Sequence, residues 1–175
     1  IPKDFHFEYL KTTLLPLIKK NIKLQLDAGV EIVMIFDSGL GDLDTSLFKN
    51  KYISLIQEIA NSFPNKIGYY CKGKSEQEIK LIFNSSFAGL GIDHNLDIVN
   101  FLQQKNNGFI QGNFDESKML MNKEDLTKEI NLYCDKIQNF GSIQGWVCGL
   151  GHGINKNTPE KNVHHFIDII RNRFK

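Results

Sequence analysis

The chain has 175 residues, of which 41% are hydrophobic and 23% charged. This size and composition are typical of one folded domain with a buried core, and they exclude disordered and fibrous proteins. Lys and Arg total 21 against 20 Asp and Glu, which leaves a net charge of +1 and no basic stripe of the kind that nucleic-acid binding requires. We therefore expect a single domain over residues 1–175 that binds no nucleic acid.

The cysteines and the hydropathy pattern indicate the compartment. Cys71, Cys134 and Cys148 are widely spaced and form no CxxC pair, which argues against a disulfide framework and a structural zinc site. No apolar run reaches the roughly 20 residues of a membrane span, and Ile1 to Phe7 lack the order of a signal peptide. We expect a reduced, cytoplasmic protein without membrane contact, and the missing initiator Met favours part of a longer chain.

Helical and extended patterns alternate along the sequence. The first segment, Tyr9–Asp27, repeats apolar residues near the 3.6 period and predicts a helix that bends or starts at Pro16. Further helices are predicted over Leu47–Phe63, Ser75–Ser86, Ile98–Gln104, Lys123–Phe140 and Pro159–Phe174. Strands are predicted near residues 32–36, 67–71, 90–93, 109–111 and 146–149. Ser75 and Glu78 have the spacing of a capping box, and Pro159 is predicted as the first helical residue after Thr158.

This alternation predicts parallel βαβ units and an α/β fold. Five strands can build an open doubly wound sheet, whereas a closed (β/α)8 barrel needs eight strands and roughly 250 residues. Periodicity leaves both architectures open. In either, the loops after the strands hold the chemistry, and four of them have unusual sequences: Phe36-Asp-Ser-Gly-Leu-Gly41, Gly91-Ile-Asp-His94, Ile110-Gln-Gly-Asn-Phe-Asp115 and Gly149-Leu-Gly-His-Gly-Ile154.

These loops resemble, in order, the motifs of the uroporphyrinogen decarboxylase family: an FDSwaG strand end, a g(I/V)DW segment, a QGNlDP loop and an LGHGI…TP.EnV ending. The last motif continues here as Thr158-Pro-Glu-Lys-Asn-Val163. The chain departs from the family at His94 in place of Trp, at Gly39-Leu40 in place of Trp-Ala and at Glu116 in place of Pro. The resemblance extends over nearly the whole chain and implies an incomplete TIM-barrel-type (β/α)8 fold with about five βα units.

The resemblance also implies a function. It predicts cofactor-free decarboxylation of the acetate side chains of uroporphyrinogen, in a protein that is a homodimer when complete. The family's N-terminal half, with an Arg-rich loop and an Asp facing the pyrrole nitrogens, has no counterpart here, and Arg occurs only at Arg171 and Arg173. We therefore expect the C-terminal part of the barrel, inactive by itself.

His152 is the first candidate site residue. It lies between two glycines directly after a strand, where its imidazole can hold a carboxylate or move a proton, and the resemblance implies contact with substrate. Ser38 matches the family's substrate-contacting Ser, although a turn or helix cap is an alternative role. His152 is thus expected to be catalytic and, with Ser38, substrate-binding.

The remaining polar residues of the loops receive structural interpretations. Asp37 is expected to bond backbone within its loop, and Asn113 and Asp115 to cap the following helix. Asp93 and His94 are too few for a catalytic zinc, which needs three protein ligands, so no metal site is predicted.

Two alternatives stay open. In the first, the protein is a related zinc-dependent corrinoid methyltransferase, whose His and Cys ligands come together in space. In the second, this chain by itself is a non-catalytic half-barrel whose exposed strand edges must be covered by another copy or by the missing half.

Overall fold

The computed structural model describes residues 4–82, 86–104 and 107–175. The α-helices are α1 Asp4–Tyr9, α2 Leu15–Asp27, α3 Thr45–Leu47, α4 Ile53–Ser62, α5 Glu76–Ile82, α6 Ile98–Gln104, α7 Lys123–Phe140 and α8 Glu160–Arg173. The strands are β1 Val33–Asp37, β2 Ile67–Cys71, β3 Phe87–Gly91, β4 Phe109–Gln111 and β5 Trp146–Val147. π-Helical turns occupy Leu10–Leu14 and Phe48–Tyr52, and 3₁₀ helices occupy Leu40–Asp42 and Glu116–Leu120.

The five strands form one sheet in the order β1-β2-β3-β4-β5. β1 pairs with β2 in parallel, from Val33 opposite Ile67 to Asp37 opposite Cys71, and β4 pairs with β5 in parallel. The predicted alternation of strand and helix is therefore confirmed. β3 begins three residues before its predicted position. The sequence pattern missed this start because alanine and glycine, which favour strands weakly, interrupt the apolar run.

Two compact units make up the chain, residues 1–90 and residues 91–175. The division falls inside β3, so the first unit contains β1, β2 and most of β3, and the second contains β4 and β5. The expectation of a single domain stays a prediction. Within the described residues, no helix combines the length and the apolar character needed to cross a bilayer.

The first long helical segment changes from a π-helical turn to an α-helix close to Pro16, where the sequence predicted a bend or a helix start. Pro16 occupies the first turn of α2, directly after the π-helical turn. Proline has no N–H for the i→i−4 ladder and its ring crowds the preceding turn, which widens the helix there. The predicted start is correct to within one residue, since α2 begins at Leu15, and the predicted bend stays a prediction.

The predicted capping box at the start of α5 is also confirmed. The Ser75 amide donates to Glu78 Oε2 at 3.0 Å, and the Glu78 amide donates to Ser75 Oγ at 3.3 Å. Lys74 is buried beside this pair; its Nζ donates to the Leu43 carbonyl at 2.7 Å and lies 3.5 Å from Glu78 Oε1. The helix prediction to Ser86 extends into residues 83–85, outside the described part of the chain.

Stability should depend on pH through Glu78. Burial raises the pKa of this carboxyl, but hydrogen bonds from Ser75 and Thr45 and the charge of Lys74 outweigh it and lower the pKa to about 2. A carboxyl with a depressed pKa in the folded state stabilises the protein above its unfolded pKa and loses that contribution as pH falls towards the folded value. We expect Glu78→Gln to reduce the free energy of unfolding more at pH 6 than at pH 3, measured by urea denaturation. An equal loss at both values would contradict this.

The second unit packs α7 and α8 around an apolar cluster, which consists of Phe114, Met119, Leu126, Ile130, Cys134 and Phe166. Buried Asn162 of α8 donates from Nδ2 to the carbonyls of Met119 and Met121, at 2.8 and 2.9 Å, and so attaches α8 to the end of the second 3₁₀ helix. The position predicted for Pro159 is wrong by one residue. It is the N-cap of α8, with extended backbone and no side-chain capping bond.

Candidate active site

The loop after β4 is held in place by hydrogen bonds to the backbone carbonyl of Gly112. This carbonyl accepts hydrogen bonds from the Tyr133 hydroxyl and from Trp146 Nε1, the latter at 3.0 Å. Gly112 has a φ of 133° and joins Asn113 through a cis peptide bond. A Cβ at Gly112 would lie 2.7 Å from the Ile92 carbonyl oxygen, so only glycine fits here.

Asn113 connects this loop to the loop after β3. Its side chain is buried, and its Nδ2 donates to the carbonyls of Asp93 at 2.8 Å and Leu96 at 2.7 Å. The Asp93 carbonyl also accepts from the Leu96 amide at 3.3 Å, so Asn113 adds to a turn that is already hydrogen bonded. The structural interpretation is confirmed, but the helix-capping role predicted for Asn113 is wrong, because its amide group faces the neighbouring loop.

Asp115 is the helix cap that the sequence predicted. Its Oδ1 accepts from the Ser117 amide at 2.9 Å and from the Ser117 hydroxyl at 2.6 Å. Burial raises the pKa of Asp115, but these hydrogen bonds outweigh it and hold the pKa below its ordinary value. The helix that it caps is the 3₁₀ helix Glu116–Leu120, whereas α7 is capped by Asn122.

The loop after β5 runs beside the loop after β4. The Phe114 amide donates to the Gly149 carbonyl at 3.0 Å, and the Gly151 amide donates to the Phe114 carbonyl at 2.7 Å. Gly151 also lies against the backbone after β3: a Cβ there would be 2.5 Å from the His94 amide nitrogen. Gly151 is therefore required for contact between two backbones.

His152 follows this contact and is half-buried. Its Nδ1 lies 3.2 Å from the Gly153 carbonyl oxygen, and no described residue hydrogen bonds to its Nε2. A Cβ at Gly153 would meet nothing within 4 Å. Gly153 therefore adjoins open space, whereas Gly151 lies against backbone. The imidazole has one nitrogen available to a ligand, on a loop that the contact at Gly151 holds in place.

Ser38 belongs to the first unit, in the bend directly after β1. It is exposed, and no described residue hydrogen bonds to its hydroxyl, so the hydroxyl is available to a ligand. Asp37 behaves differently from its prediction. Its Oδ2 accepts from the Tyr69 hydroxyl at 3.0 Å instead of bonding loop backbone.

The pairing of β1 and β2 explains this correction. Ile35 lies opposite Tyr69, and Asp37, two residues on, presents its side chain to the same face. Burial, followed by the negative charge of Asp37, raises the pKa of Tyr69 far above its ordinary value. Tyr69 therefore stays protonated and serves to orient the Asp37 carboxylate.

The cysteines do not gather into a thiolate site. Cys71 and Cys134 are buried and Cys148 is half-buried. Burial raises the pKa of Cys134 and raises that of Cys148 to about 12. Among the described residues, no cysteine belongs to a group of His, Cys, Asp and Glu side chains that could hold a metal ion.

A group that the sequence interpretation missed lies at the ends of β3 and β4. His94 Nδ1 is 2.9 Å from Glu116 Oε2, and one ligand atom from each of His94, Asp115 and Glu116 lies within 4.8 Å of the others. Among the described residues this is the group of His, Cys, Asp and Glu side chains that could hold a metal ion. The sequence did contain a sign of this group, because the ends of neighbouring strands meet at one edge of a sheet. The sequence interpretation considered only Asp93 as a partner for His94.

Asp93 is not part of that group. It is buried, and its Oδ1 accepts from the Asn95 amide at 2.9 Å. His164 is exposed on α8, whereas His165 is half-buried, with its Nε2 2.7 Å from Thr127 Oγ1.

Strands alternating with helices in one sheet, with polar loops after the strands, define an α/β protein of the TIM-barrel type that is incomplete as a barrel. The family model "Uroporphyrinogen decarboxylase (URO-D)" matches residues 5–173. The chain belongs to the uroporphyrinogen decarboxylase family.

The curated relatives agree with this assignment. Uroporphyrinogen decarboxylase from Orientia tsutsugamushi (strain Ikeda) is 29% identical over 157 residues, which cover 87% of this chain and 45% of the relative. The Coxiella burnetii (strain Dugway 5J108-111) enzyme of the same name is 28% identical, covering 98% of this chain and 48% of the relative. The chain thus spans about half the length of these relatives.

Solved structures share the fold. A methyltransferase from Methanosarcina mazei superposes with a TM-score of 0.71 at 16% identity, covering 99% of this chain and 54% of that one. A putative vitamin-B12-independent methionine synthase from Listeria monocytogenes gives a TM-score of 0.60 at 14% identity, covering 93% of this chain and 57% of that one. At these identities the likeness shows the fold alone.

Proposed function

We propose that this chain forms part of a uroporphyrinogen decarboxylase, a carboxy-lyase of porphyrin and haem biosynthesis. The reaction converts the four acetate side chains of uroporphyrinogen III to methyl groups and gives coproporphyrinogen III. The family match over residues 5–173 carries this proposal. Cytoplasmic location and a homodimeric complete protein remain part of it.

The chemistry requires proton transfer and charge stabilisation. In each step the bond between the side-chain methylene and its carboxylate breaks, CO₂ leaves, and a proton takes its place on carbon. Protonation of the pyrrole ring creates the cationic intermediate that accepts the electrons of the breaking bond. General acid and electrostatic catalysis are sufficient for this sequence, so the proposal requires no metal or organic cofactor.

His152 and Ser38 are the proposed contacts with substrate. The available Nε2 of His152 can donate to a substrate carboxylate or move a proton, and its loop is fixed by the close contact of Gly151 with the backbone at His94. The exposed Ser38 hydroxyl can donate to a second carboxylate. Each role rests on the position of the residue after a strand of the sheet.

The proposal assigns most of the carboxylate binding to groups beyond these residues. Arginine is the side chain best suited to clamp carboxylates, and Arg173 already hydrogen bonds to Asp135 and Gln138. The substrate has eight carboxylates, so the clamp would come from another segment or a partner.

The test is an anaerobic assay of the natural polypeptide that contains this sequence. Uroporphyrinogen III is supplied as substrate, and the products are oxidised to porphyrins and separated by chromatography. We expect stepwise loss of carboxylates to the four-carboxylate product, unchanged after chelator treatment. Absence of any decarboxylated porphyrin would refute the proposal.

The same preparation tests the two alternatives. A corrinoid methyltransferase would require zinc for activity and a cysteine ligand for the ion, and the metal-binding group found among the described residues contains no cysteine. A polypeptide with the 20.1 kDa mass of this chain and no turnover would favour the non-catalytic fragment.

A further inference from the structure

We propose that His94, Asp115 and Glu116 form a binding site for a divalent metal ion of the zinc type. The site lies wholly in the second unit, and it does not depend on the proposed decarboxylase activity. An imidazole with two carboxylates is a donor set that zinc accepts, with water in the remaining position.

The spacing of the three side chains suits a single ion. Tetrahedral zinc, with ligands at about 2.0–2.2 Å, places its ligand atoms about 3.4 Å from one another. The three ligand atoms here lie within 4.8 Å of one another, and His94 Nδ1 and Glu116 Oε2 are already 2.9 Å apart. Ligation would require the side chains to adjust until all three separations are about 3.4 Å.

Each group has capacity left for an ion. Both bonds from Ser117 are accepted by Asp115 Oδ1, which leaves Oδ2 without a described partner. Glu116 Oε2 lies against His94 Nδ1, and Oε1 has no described partner; an ion bound at Nδ1 would displace the proton shared by this pair. A carboxylate offers about four lone-pair sites, so capping and ligation are compatible.

The surroundings can supply the water ligand and tolerate the charge. His94 and Asp115 line a cavity of about 330 Å³, which provides room for solvent at the open position. Two lysines line the cavity, and both are paired: Lys118 with Glu129 at 2.5 Å and Lys136 with Asp97 at 3.0 Å. Two carboxylates and a neutral imidazole leave a net negative charge that favours a dication.

Two of the three residues are among the positions where, by the resemblance described above, this chain departs from the family motifs. His94 stands in place of Trp and Glu116 in place of Pro, and the two departures contact each other. Neither an indole nor a proline ring can bind a metal ion. The pair therefore creates a site that the usual motif residues do not provide.

The test measures Zn²⁺ and Co²⁺ binding to the natural polypeptide by titration calorimetry, with metal analysis after gel filtration. We expect one ion per chain, and at least about tenfold weaker binding in His94→Trp and in Glu116→Pro. Proline is accepted at the first position of a helix, and Glu116→Gln provides a second variant that keeps the shape of the side chain.

His164 and Glu160 provide the matched control. They form an exposed His–Glu pair at 3.4 Å, and they belong to no metal-binding group of the described residues, so His164→Ala should leave the affinity unchanged. No stoichiometric binding, or binding retained in both His94→Trp and Glu116→Gln, would overturn the proposal. Loss of metal binding in His94→Trp with normal decarboxylation would support the metal site and leave the proposed function untouched, because the two readouts are separate.

Discussion

Replacing His152 by alanine in the natural polypeptide should reduce the turnover of uroporphyrinogen III about 10²- to 10⁴-fold, the usual contribution of a positioned acid–base group. Within the described part of the chain the imidazole hydrogen bonds only to the neighbouring carbonyl, at 3.2 Å, so its removal should cost little stability. Steady-state kinetics separate the two proposed roles. A fall in kcat indicates proton transfer, and a rise in KM alone indicates carboxylate binding.

His164→Ala is the control for this experiment, because His164 is an exposed histidine on α8. It should show wild-type kinetics. His152→Ala with unchanged kcat and KM would remove His152 from the site and leave the family assignment intact.

Gly151→Ala should destabilise the second unit strongly. The added methyl group would lie 2.5 Å from the His94 amide nitrogen and 3.1 Å from the carbonyl carbon of Asp93. These are backbone atoms and cannot rotate away, so two loops must separate. Overpacking of this kind costs about 3 kcal/mol, which urea denaturation measures as a lower free energy of unfolding.

Gly153→Ala is the matched control, two residues further along the same loop. A Cβ at Gly153 meets nothing within 4 Å, and its backbone has no positive φ. Its stability should change by less than about 0.5 kcal/mol. Equal losses in the two variants would show that the loop contact at Gly151 is unimportant.

Local interactions in this protein could be predicted from the sequence. Ser75 and Glu78 form their capping box because three residues of one helical turn bring the two groups together. Asp115 caps the segment that follows it for the same reason. Pro16 alters its helix through its own missing N–H.

Contacts between strands could not be predicted in this way. Asp37 finds Tyr69, 32 residues away, because β1 and β2 pair in parallel with a particular register. Gly151 resembles an opening for ligand in the sequence, but it lies against backbone that is 57 positions earlier in the chain. Register and loop approach depend on how strands pack, and local sequence does not specify them.

The sequence by itself therefore determined the alternation of strand and helix, the family and the position of His152 and Ser38 after strands, since each depends on local patterns or quoted motifs. Only the tertiary structure joined His94 to Glu116, because the ends of neighbouring strands meet at one edge of a sheet while their residues lie 22 positions apart.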